Sequence, residues 1–473
     1  MKDNDNKGDR TSLSGANRRD VLRAMGALGL SSSVLAHFGI AQAFGADFDW
    51  KQFAGTKINM LIVGGEGDDR AFADLLPEFK EQTGIDLEIT SPALGPLIEK
   101  QLQNLQAPQS AYEVMSYLGF LTTQQVGAGY YDQLNAYIDN AAITPPDWDF
   151  ADFLQPALRN VGIFDMETGR VGEGDAVYGI PGTHSGSAIY FYRKDLFEAA
   201  GLQPAKTWDE FHAAAKALTT DDVAGASFIG ANDFSLALVD WYTRFITIGG
   251  KLMSGDPKTK DFKPNVDSPE GVRALQMLID LLPYAPKNVT KYGFAENVDG
   301  FATGKIAQMV FWSTIAGPIF NPENSLVADK TGTGPVPADP GQVPRAIQGG
   351  WGISIPKNAD PAKKDAAWLT LAWFTSKRVN NYLVEAYQID ANRTSSFTDP
   401  ALVAKFPYLP DALAAASNAQ LLDTARLPEV FQLNDVMNVE FNAALLGIQD
   451  AQTACTKVQA QWEEMLRKAG HLA

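Results

Sequence analysis

Cysteine is nearly absent from this chain. Its single cysteine, Cys455, cannot form an intramolecular disulfide, and one thiol cannot build a metal site of several thiolates. The 473 residues are enough for roughly two to three domains of about 150 residues each. Such a chain must be held together by its hydrophobic core alone, and it is long enough to bury one.

Histidine and basic residues are also scarce. His184, His212 and His471 lie too far apart in sequence to suggest a histidine metal site. There are 39 lysines and arginines against 56 aspartates and glutamates, and the formal charge is −17. This balance argues against nucleic acid or an anionic membrane surface as a partner.

Catalytic signatures are missing as well. The sequence has no Walker loop, no G-x-S-x-G elbow and no H-E-x-x-H motif, and residues 64–67 lack the last glycine of a dinucleotide-binding fingerprint. We therefore expect no cofactor, no bound metal and no catalytic residue.

Long apolar runs are missing except near the N-terminus. Arg18 and Arg19 precede a moderately apolar stretch and a small-residue exit at residues 41–46. This layout predicts a signal peptide over residues 1–46 that resembles the twin-arginine type, with cleavage after Ala43 or Ala46. Because no cysteine follows the apolar stretch, we expect an exported periplasmic chain without a lipid anchor. An N-terminal core helix and a general secretory signal stay open as alternatives.

Strand and helix patterns alternate in the first part of the remaining chain, which predicts an α/β fold with a largely parallel sheet. In such sheets a ligand lies beyond the carboxyl ends of the strands. Pro77 predicts a kink or a late start in the first helix. Strands are predicted at 57–63, 85–89 and 112–117, and helices at 71–83, 94–107 and from the third strand to 138.

A polar loop at residues 182–187 leads into a buried strand at 188–193, and the sequence Thr207-Trp208-Asp209-Glu210 matches a helix capping box. Small polar residues of this kind leave room for a ligand. Further on, helices are predicted at 236–248, 268–282, 362–375 and 458–468, strands at 306–312 and 348–356, and a connector at 321–345.

Aromatic residues are plentiful, with nine tryptophans and 14 tyrosines. A sugar presents apolar C–H faces that pack on aromatic rings and a rim of hydroxyls that amides, carboxylates and arginines bind. Tyr117, Trp312 and Trp351 lie where strands meet loops, and Trp241 is a further candidate for ligand contact. The core spacing of Trp208, Trp368 and Trp373 on helices indicates ordinary packing instead.

Four segments resemble family 1 extracellular solute-binding proteins, the carbohydrate-type receptors of ABC importers. The most specific is YGIPGTHSGSAIYFYRKDLFEAAGLQPAKTWDEF, and the others are LLPEFKEQTGIDLEI, FATGKIAQMVFWS and GGWGISIPKNADPAKKDAAWLTLAWFTS. The resemblance implies two α/β lobes of discontinuous segments joined by a hinge of crossing strands. The expected N-terminal lobe comprises residues 47–183 with 333–376, and the C-terminal lobe 184–332 with 377–473.

The resemblance further implies a ligand cleft between the lobes. The expected ligand contacts, with Trp241 added for its aromatic ring, are Gly65, Glu66, Asp68, Tyr117, His184, Ser185, Trp241, Trp312, Ser313, Gly350, Trp351 and Arg393. The chain is then a monomeric periplasmic receptor that captures a sugar, oligosaccharide or polyol by lobe closure and delivers it to a membrane permease. An exported glycoside hydrolase and a receptor for a non-sugar solute remain alternatives.

Overall fold

A computed structural model describes residues 48–65, 67–182, 186–232 and 236–473. Residues 50–144 and 148–473 form one compact unit, to which the elements below belong. Its strands are β1 (Lys57–Leu61), β2 (Asp86–Thr90), β3 (Val114–Leu118), β4 (Phe164–Asp165), β5 (Arg170–Val171), β6 (Ile180–Pro181), β7 (Ala188–Arg193), β8 (Met253–Ser254), β9 (Lys263–Pro264), β10 (Gln308–Trp312), β11 (Thr331–Gly334) and β12 (Trp351–Ser354).

Helices account for most of the remaining regular structure. They are α1 (Asp68–Thr83), α2 (Leu94–Leu105), α3 (Thr122–Gln125), α4 (Asn135–Ile138), α5 (Gln155–Val161), α6 (Lys194–Ala199), α7 (Trp208–Leu218), α8 (Thr243–Thr247), α9 (Pro269–Leu281), α10 (Phe294–Ala302), α11 (Ala316–Phe320), α12 (Lys364–Phe374), α13 (Lys377–Tyr387), α14 (Thr394–Phe397), α15 (Pro400–Lys405), α16 (Leu409–Asn418), α17 (Val430–Leu445) and α18 (Ala451–Ala469). A π-helix, Leu236–Tyr242, leads directly into α8.

Sheet I has the strand order β2-β1-β3-β12-β6. The first three strands are parallel, as the alternation of strand and helix predicts. β12 comes from far along the chain and lies antiparallel between β3 and β6. Sheet I is therefore mixed, because the crossover that brings β12 back enters it from the opposite end.

Sheet II has the order β10-β7-β11, with both neighbours antiparallel to β7. In chain order, β6 of sheet I is followed by β7 of sheet II, and β11 of sheet II is followed by β12 of sheet I. These connections meet, since Ser187 forms a β-bridge with Gln348 and the Gly349 N–H donates to Gly186 O at 2.8 Å. The molecule is thus a two-lobe α/β fold, with lobe I built on sheet I and lobe II on sheet II.

Local sequence signals place the helix ends well. At α7 the Thr207 hydroxyl accepts from Glu210 N at 3.2 Å while the Glu210 carboxylate accepts from Thr207 N at 3.1 Å, which confirms the capping box. The late start predicted for the first helix is wrong, because α1 begins at Asp68 and runs through Pro77. Packing of its apolar face explains this: Phe72 and Phe79 lie 4.6 and 5.3 Å, centroid to centroid, from Phe374 on α12.

Two predictions at the level of segments need correction. The helix expected between β3 and residue 138 is broken into a 3₁₀ turn, α3 and α4. The connector at 321–345 contains β11, which completes sheet II. Its sequence, Thr331-Gly332-Thr333-Gly334, has no alternation of apolar and polar side chains. The pattern that predicts a strand is therefore missing, and the glycines favour a loop.

The larger hydrophobic core cluster contains the one thiol. Cys455 on α18 is fully buried, and burial raises its pKa to about 12, so that it stays protonated at neutral pH. Within the described ranges, none of the helices combines the length and apolar character that a membrane span requires.

Candidate functional site

A cleft of about 620 Å³ lies between the two sheets. It falls within the size range of small-molecule sites, roughly 300–1,000 Å³. Its described lining residues are Gly65, Arg70, Leu94, Leu118, Phe120, Gly186, Phe294, Trp312, Thr314, Ile315, Gly317, Pro318, Asn321, Asn324, Gly349, Gly350, Trp351, Ala386, Tyr387, Gln388 and Ile389.

The lobe I wall is built at one end of sheet I. Leu118 is the last residue of β3, and it pairs with Trp351, the first residue of the antiparallel strand β12. The Gly119 N–H donates to Gly350 O at 3.0 Å, which ties the start of the loop after β3 to the approach of β12. The carboxyl end of a parallel strand and the amino end of an antiparallel one thus meet at the same edge, and their side chains share one wall.

The lobe II wall carries Trp312, the last residue of β10, which pairs with Ala188 on β7. Its indole lies against the crossing between the lobes: a Cβ on Gly349 would stand 3.2 Å from Trp312 Cζ3 and 3.0 Å from Gly186 O. That spacing is tighter than ordinary van der Waals contact. Glycine at 349 therefore lets the ring rest on the backbone of the hinge.

A third wall comes from the end of α13. The Tyr387 hydroxyl donates to Asp74 Oδ2 at 2.5 Å, and the guanidinium carbon of Arg70 lies 6.0 Å from the Tyr387 ring centroid. The hydrogen bond to Asp74, followed by desolvation and the charge of that carboxylate, raises the Tyr387 pKa to about 12. The phenol is therefore neutral at physiological pH and is held to α1, with its ring at the cleft.

Neutral groups dominate the lining. Five aromatic residues line the cleft together with amide and hydroxyl side chains. Phe294, Trp312 and Tyr387 are partly exposed, whereas Phe120 and Trp351 are only 3% and 2% exposed. Among the described lining residues, Arg70 is the one charged side chain. Aromatic surfaces combined with neutral hydrogen-bonding groups suit a ligand that has apolar faces and hydroxyl edges.

Four of the residues predicted from sequence line this cleft, namely Gly65, Trp312, Gly350 and Trp351. Asp68 and Ser313 are fully buried beside it. Asp68 lies in the first turn of α1, and the Ser313 hydroxyl donates to the Asp390 carboxylate. Glu66, His184 and Ser185 lie outside the described residues.

Three predicted residues lie elsewhere in the molecule. Tyr117 is buried beneath the cleft wall and donates its hydroxyl to Val161 O, and burial holds its pKa well above the ordinary value. Trp241 is fully buried in lobe II, where Nε1 donates to Gly271 O at 2.9 Å and the ring stacks on Phe245 at 4.6 Å. These contacts are those of core residues.

Arg393 is the third, and its side chain is also fully buried. Nε donates to Thr375 O at 2.8 Å and Nη1 to Asp149 O at 2.9 Å, while the guanidinium carbon lies 4.0 Å from the Phe153 ring centroid. The guanidinium therefore ties together three chain segments. Ligand contact by Tyr117, Trp241 and Arg393 stays a prediction.

Several lining residues escaped the sequence reasoning. Phe120 follows β3 in a loop that the α/β rule does indicate, so its position could have been chosen. Phe294, Asn321, Tyr387 and Gln388 carry no such signal, because only the packing of α10, α11 and α13 brings them to the cleft. Within the described ranges, no group of three or more histidine, cysteine, aspartate and glutamate side chains could hold a metal ion.

Comparison with known proteins gives one family model, described as bacterial extracellular solute-binding protein, which matches residues 64–381. A probable amino-acid ABC transporter periplasmic-binding protein of Sinorhizobium fredii is 25% identical over 435 residues, covering 89% of this chain and 92% of the relative. An erythritol/L-threitol-binding protein of Mycolicibacterium smegmatis is 25% identical over 386 residues, covering 78% of this chain and 79% of the relative.

Solved structures share the fold. An ABC transporter solute-binding protein of Agrobacterium radiobacter K84, in complex with ribitol, matches with a TM-score of 0.74 and 26% identity, covering 87% of this chain and 99% of that one. The similarity therefore extends over both sheets and the cleft between them.

Proposed function

Since the chain belongs to the bacterial extracellular solute-binding protein family, we propose that it binds a sugar, oligosaccharide or polyol in the cleft. The composition of the cleft lining is the main support for this proposal. It consists of five aromatic residues and several neutral polar side chains, and Arg70 is the one charged residue among the described lining residues. A cationic ligand such as a polyamine would need cleft carboxylates, and the described lining offers none.

Binding operates through a shift between open and closed arrangements of the lobes. Trp351 and Phe120 belong to lobe I while Trp312 belongs to lobe II, so a ligand contacts both sets only when the lobes approach. Differential contact of this kind is what allows a ligand to favour the closed form. The crossing at Gly186 and Gly349 supplies the hinge, and the closed form is the one that docks on the permease.

The remaining parts of the proposed function are the expectations drawn from the sequence. The chain is exported through a twin-arginine signal over residues 1–46, acts in the periplasm as a monomer without a lipid anchor, and catalyses no reaction. The lobe limits expected from the sequence, residues 47–183 with 333–376 and 184–332 with 377–473, are kept with one correction: β11 (Thr331–Gly334) pairs with β7 in sheet II, so residues 333 and 334 belong to lobe II. The closed receptor hands its ligand to the membrane subunits of an ABC importer.

A ligand screen tests this proposal. The mature protein is heated with erythritol, ribitol, D-mannitol, glucose or maltose, and hits are titrated by calorimetry. A ligand at 100 times its Kd stabilises the folded state by about 2.7 kcal/mol, which a melting curve resolves. Recovery of intact ligand after incubation supports a receptor, whereas release of a cleavage product would identify a hydrolase.

A carboxylate ligand is the second candidate, and Arg70 is the observation that favours it. A guanidinium binds a carboxylate through paired hydrogen bonds, and Arg70 has no salt bridge within 4.0 Å among the described residues. The same screen therefore includes alanine, glutamate and glucuronate. Binding of these three without any neutral polyol or sugar would replace the carbohydrate proposal.

A further inference from the structure

Gln388, in the third wall of the cleft, has an unusual backbone. It follows the last residue of α13 with φ 53° and ψ 33°, in the left-handed region. Its N–H donates to Val384 O at 3.0 Å, and the N–H of Ile389 donates to Leu383 O at 3.2 Å. This is a helix-ending turn that favours glycine, because a Cβ crowds the following carbonyl.

The fold uses glycine for the same task elsewhere. α1 and α18 end at Gly84 and Gly470, with φ values of 69° and 82°. Among the described non-glycine residues, positive φ occurs at Asp149, Lys260 and Gln388. Of these three, Gln388 alone lines the cleft. Glutamine is a good helix former and is not among the residues enriched in this conformation, which are asparagine, aspartate and histidine, so residue preference does not explain a glutamine at this turn.

The surroundings of Gln388 fix its position. Its carbonyl accepts from the Tyr408 hydroxyl at 3.2 Å, and a Cβ on Gly317 would stand 3.6 Å from its Cβ. The amide Nε2 donates to Glu385 O at 3.2 Å. An amide bound through one N–H still offers a second N–H and its oxygen, the pair of groups that can bind two neighbouring hydroxyls.

We propose that Gln388 is a specificity-determining residue, whose amide binds vicinal hydroxyls of the ligand. The side chain is kept in a conformation that costs free energy because its contact with the ligand requires it there. This inference rests on the proposed function, since it names a group of the same cleft and the hydroxylated class of ligand that this group selects.

Substitution of Gln388 with glycine distinguishes the loss of the ligand contact from the relief of backbone strain. In Gln388→Gly the strain in the turn is relieved while the amide is lost, so we expect an unchanged or higher melting temperature. Affinity should be about five- to tenfold lower for whichever of erythritol, ribitol, D-mannitol, glucose and maltose the wild type binds most tightly. Lys260→Gly is the matched control: Lys260 is exposed, has φ 59° and lies outside the cleft lining. It should shift the melting temperature similarly and leave affinity unchanged.

Gln388→Asn supplies a second variant, because asparagine tolerates the left-handed region and carries the same amide on a shorter stem. It should keep the melting temperature and lose affinity for the same ligand. Equal affinity in Gln388→Gly and wild type would overturn the inference, and so would a melting temperature that falls in Gln388→Gly but not in Lys260→Gly. A wild type that binds none of the polyols and sugars of the screen (erythritol, ribitol, D-mannitol, glucose and maltose) would instead remove the proposed function, and this assignment with it.

Discussion

Replacing Trp312 with alanine tests the cleft most directly. The ring lies at the end of β10, half-buried, and its six-membered edge rests on Gly349. The substitution removes an aromatic wall of lobe II and leaves the β10–β7 hydrogen bonds in place, because those use the backbone. Ligand affinity should therefore fall much more than the stability of the free protein.

The expected loss of affinity follows from the surface area of Trp312 that the ligand covers. A tryptophan side chain presents up to about 250 Å², and a sugar or polyol on one exposed face removes about a quarter of that from water. At about 25 cal/mol per Å² this is about 1.5 kcal/mol, or roughly a tenfold increase in Kd. Trp312→Phe keeps a smaller ring at the same place and should cost about two- to threefold.

Calorimetric titration of wild type and variants with the tightest ligand of the screen measures the change. Trp241→Phe is the matched control, since Trp241 is fully buried on the far side of lobe II and donates to Gly271 O. Losing that hydrogen bond should lower the free energy of unfolding by about 1–3 kcal/mol and leave Kd within twofold. An unchanged Kd in Trp312→Ala, or a larger loss of affinity in Trp241→Phe, would refute the placement of the site.

Two further expectations concern stability. Burial, and next the charge of Arg244, lowers the pKa of His212 from 6.5 to about 4. The unfolded chain then binds this proton more tightly, so stability should fall as pH drops from about 6.5 to 4. In His212→Gln, urea unfolding at pH 7 and pH 5 should show a smaller difference than in wild type; an equal difference would assign the loss to other groups. Arg393→Ala should lower the free energy of unfolding by about 3 kcal/mol or more, because Asp152 and two carbonyls lose a buried partner. Urea unfolding measures the loss of stability, and calorimetric titration measures ligand affinity in parallel. A variant that loses affinity at unchanged stability would show that Arg393 contacts the ligand.

Local sequence patterns predicted many of the helices and strands because the interactions that form them are local. Alternating apolar residues, the glycine after α1 and the capping box at α7 each act within a few residues of the bond they form. The antiparallel placement of β12 is different in kind. Nothing in the sequence of residues Trp351–Ser354 shows whether the strand runs parallel or antiparallel to its neighbours. Only its pairing with Leu118–Met115 shows that it is antiparallel.

For the site, neither residue type nor position at a strand end was sufficient: Tyr117 was predicted on the same ground as Trp312 and Trp351, yet it is fully buried and does not line the cleft. Trp312 and Trp351 were predicted because each stands where a strand meets a loop, and both line the cleft. Trp241 and Arg393 have equally suitable side chains, yet both are fully buried. Tyr387 and Gln388 lie at the end of a helix whose position depends on Tyr387 and Tyr382 binding Asp74, a contact more than 300 residues apart in sequence.

The position of β12 also has a consequence for the order in which the polypeptide can fold. β3 and β6 are both complete by Pro181, but the strand that lies between them begins at Trp351, about 170 residues after β6 ends. At 5–20 residues per second, a ribosome needs on the order of 10 to 35 s to supply it. Throughout that interval β3 and β6 each lack a neighbour, and open edges of this kind pair readily with other chains. A chaperone bound to the nascent chain, or the chain's own lobe II segments, can keep those edges apart until translation has passed Ser354.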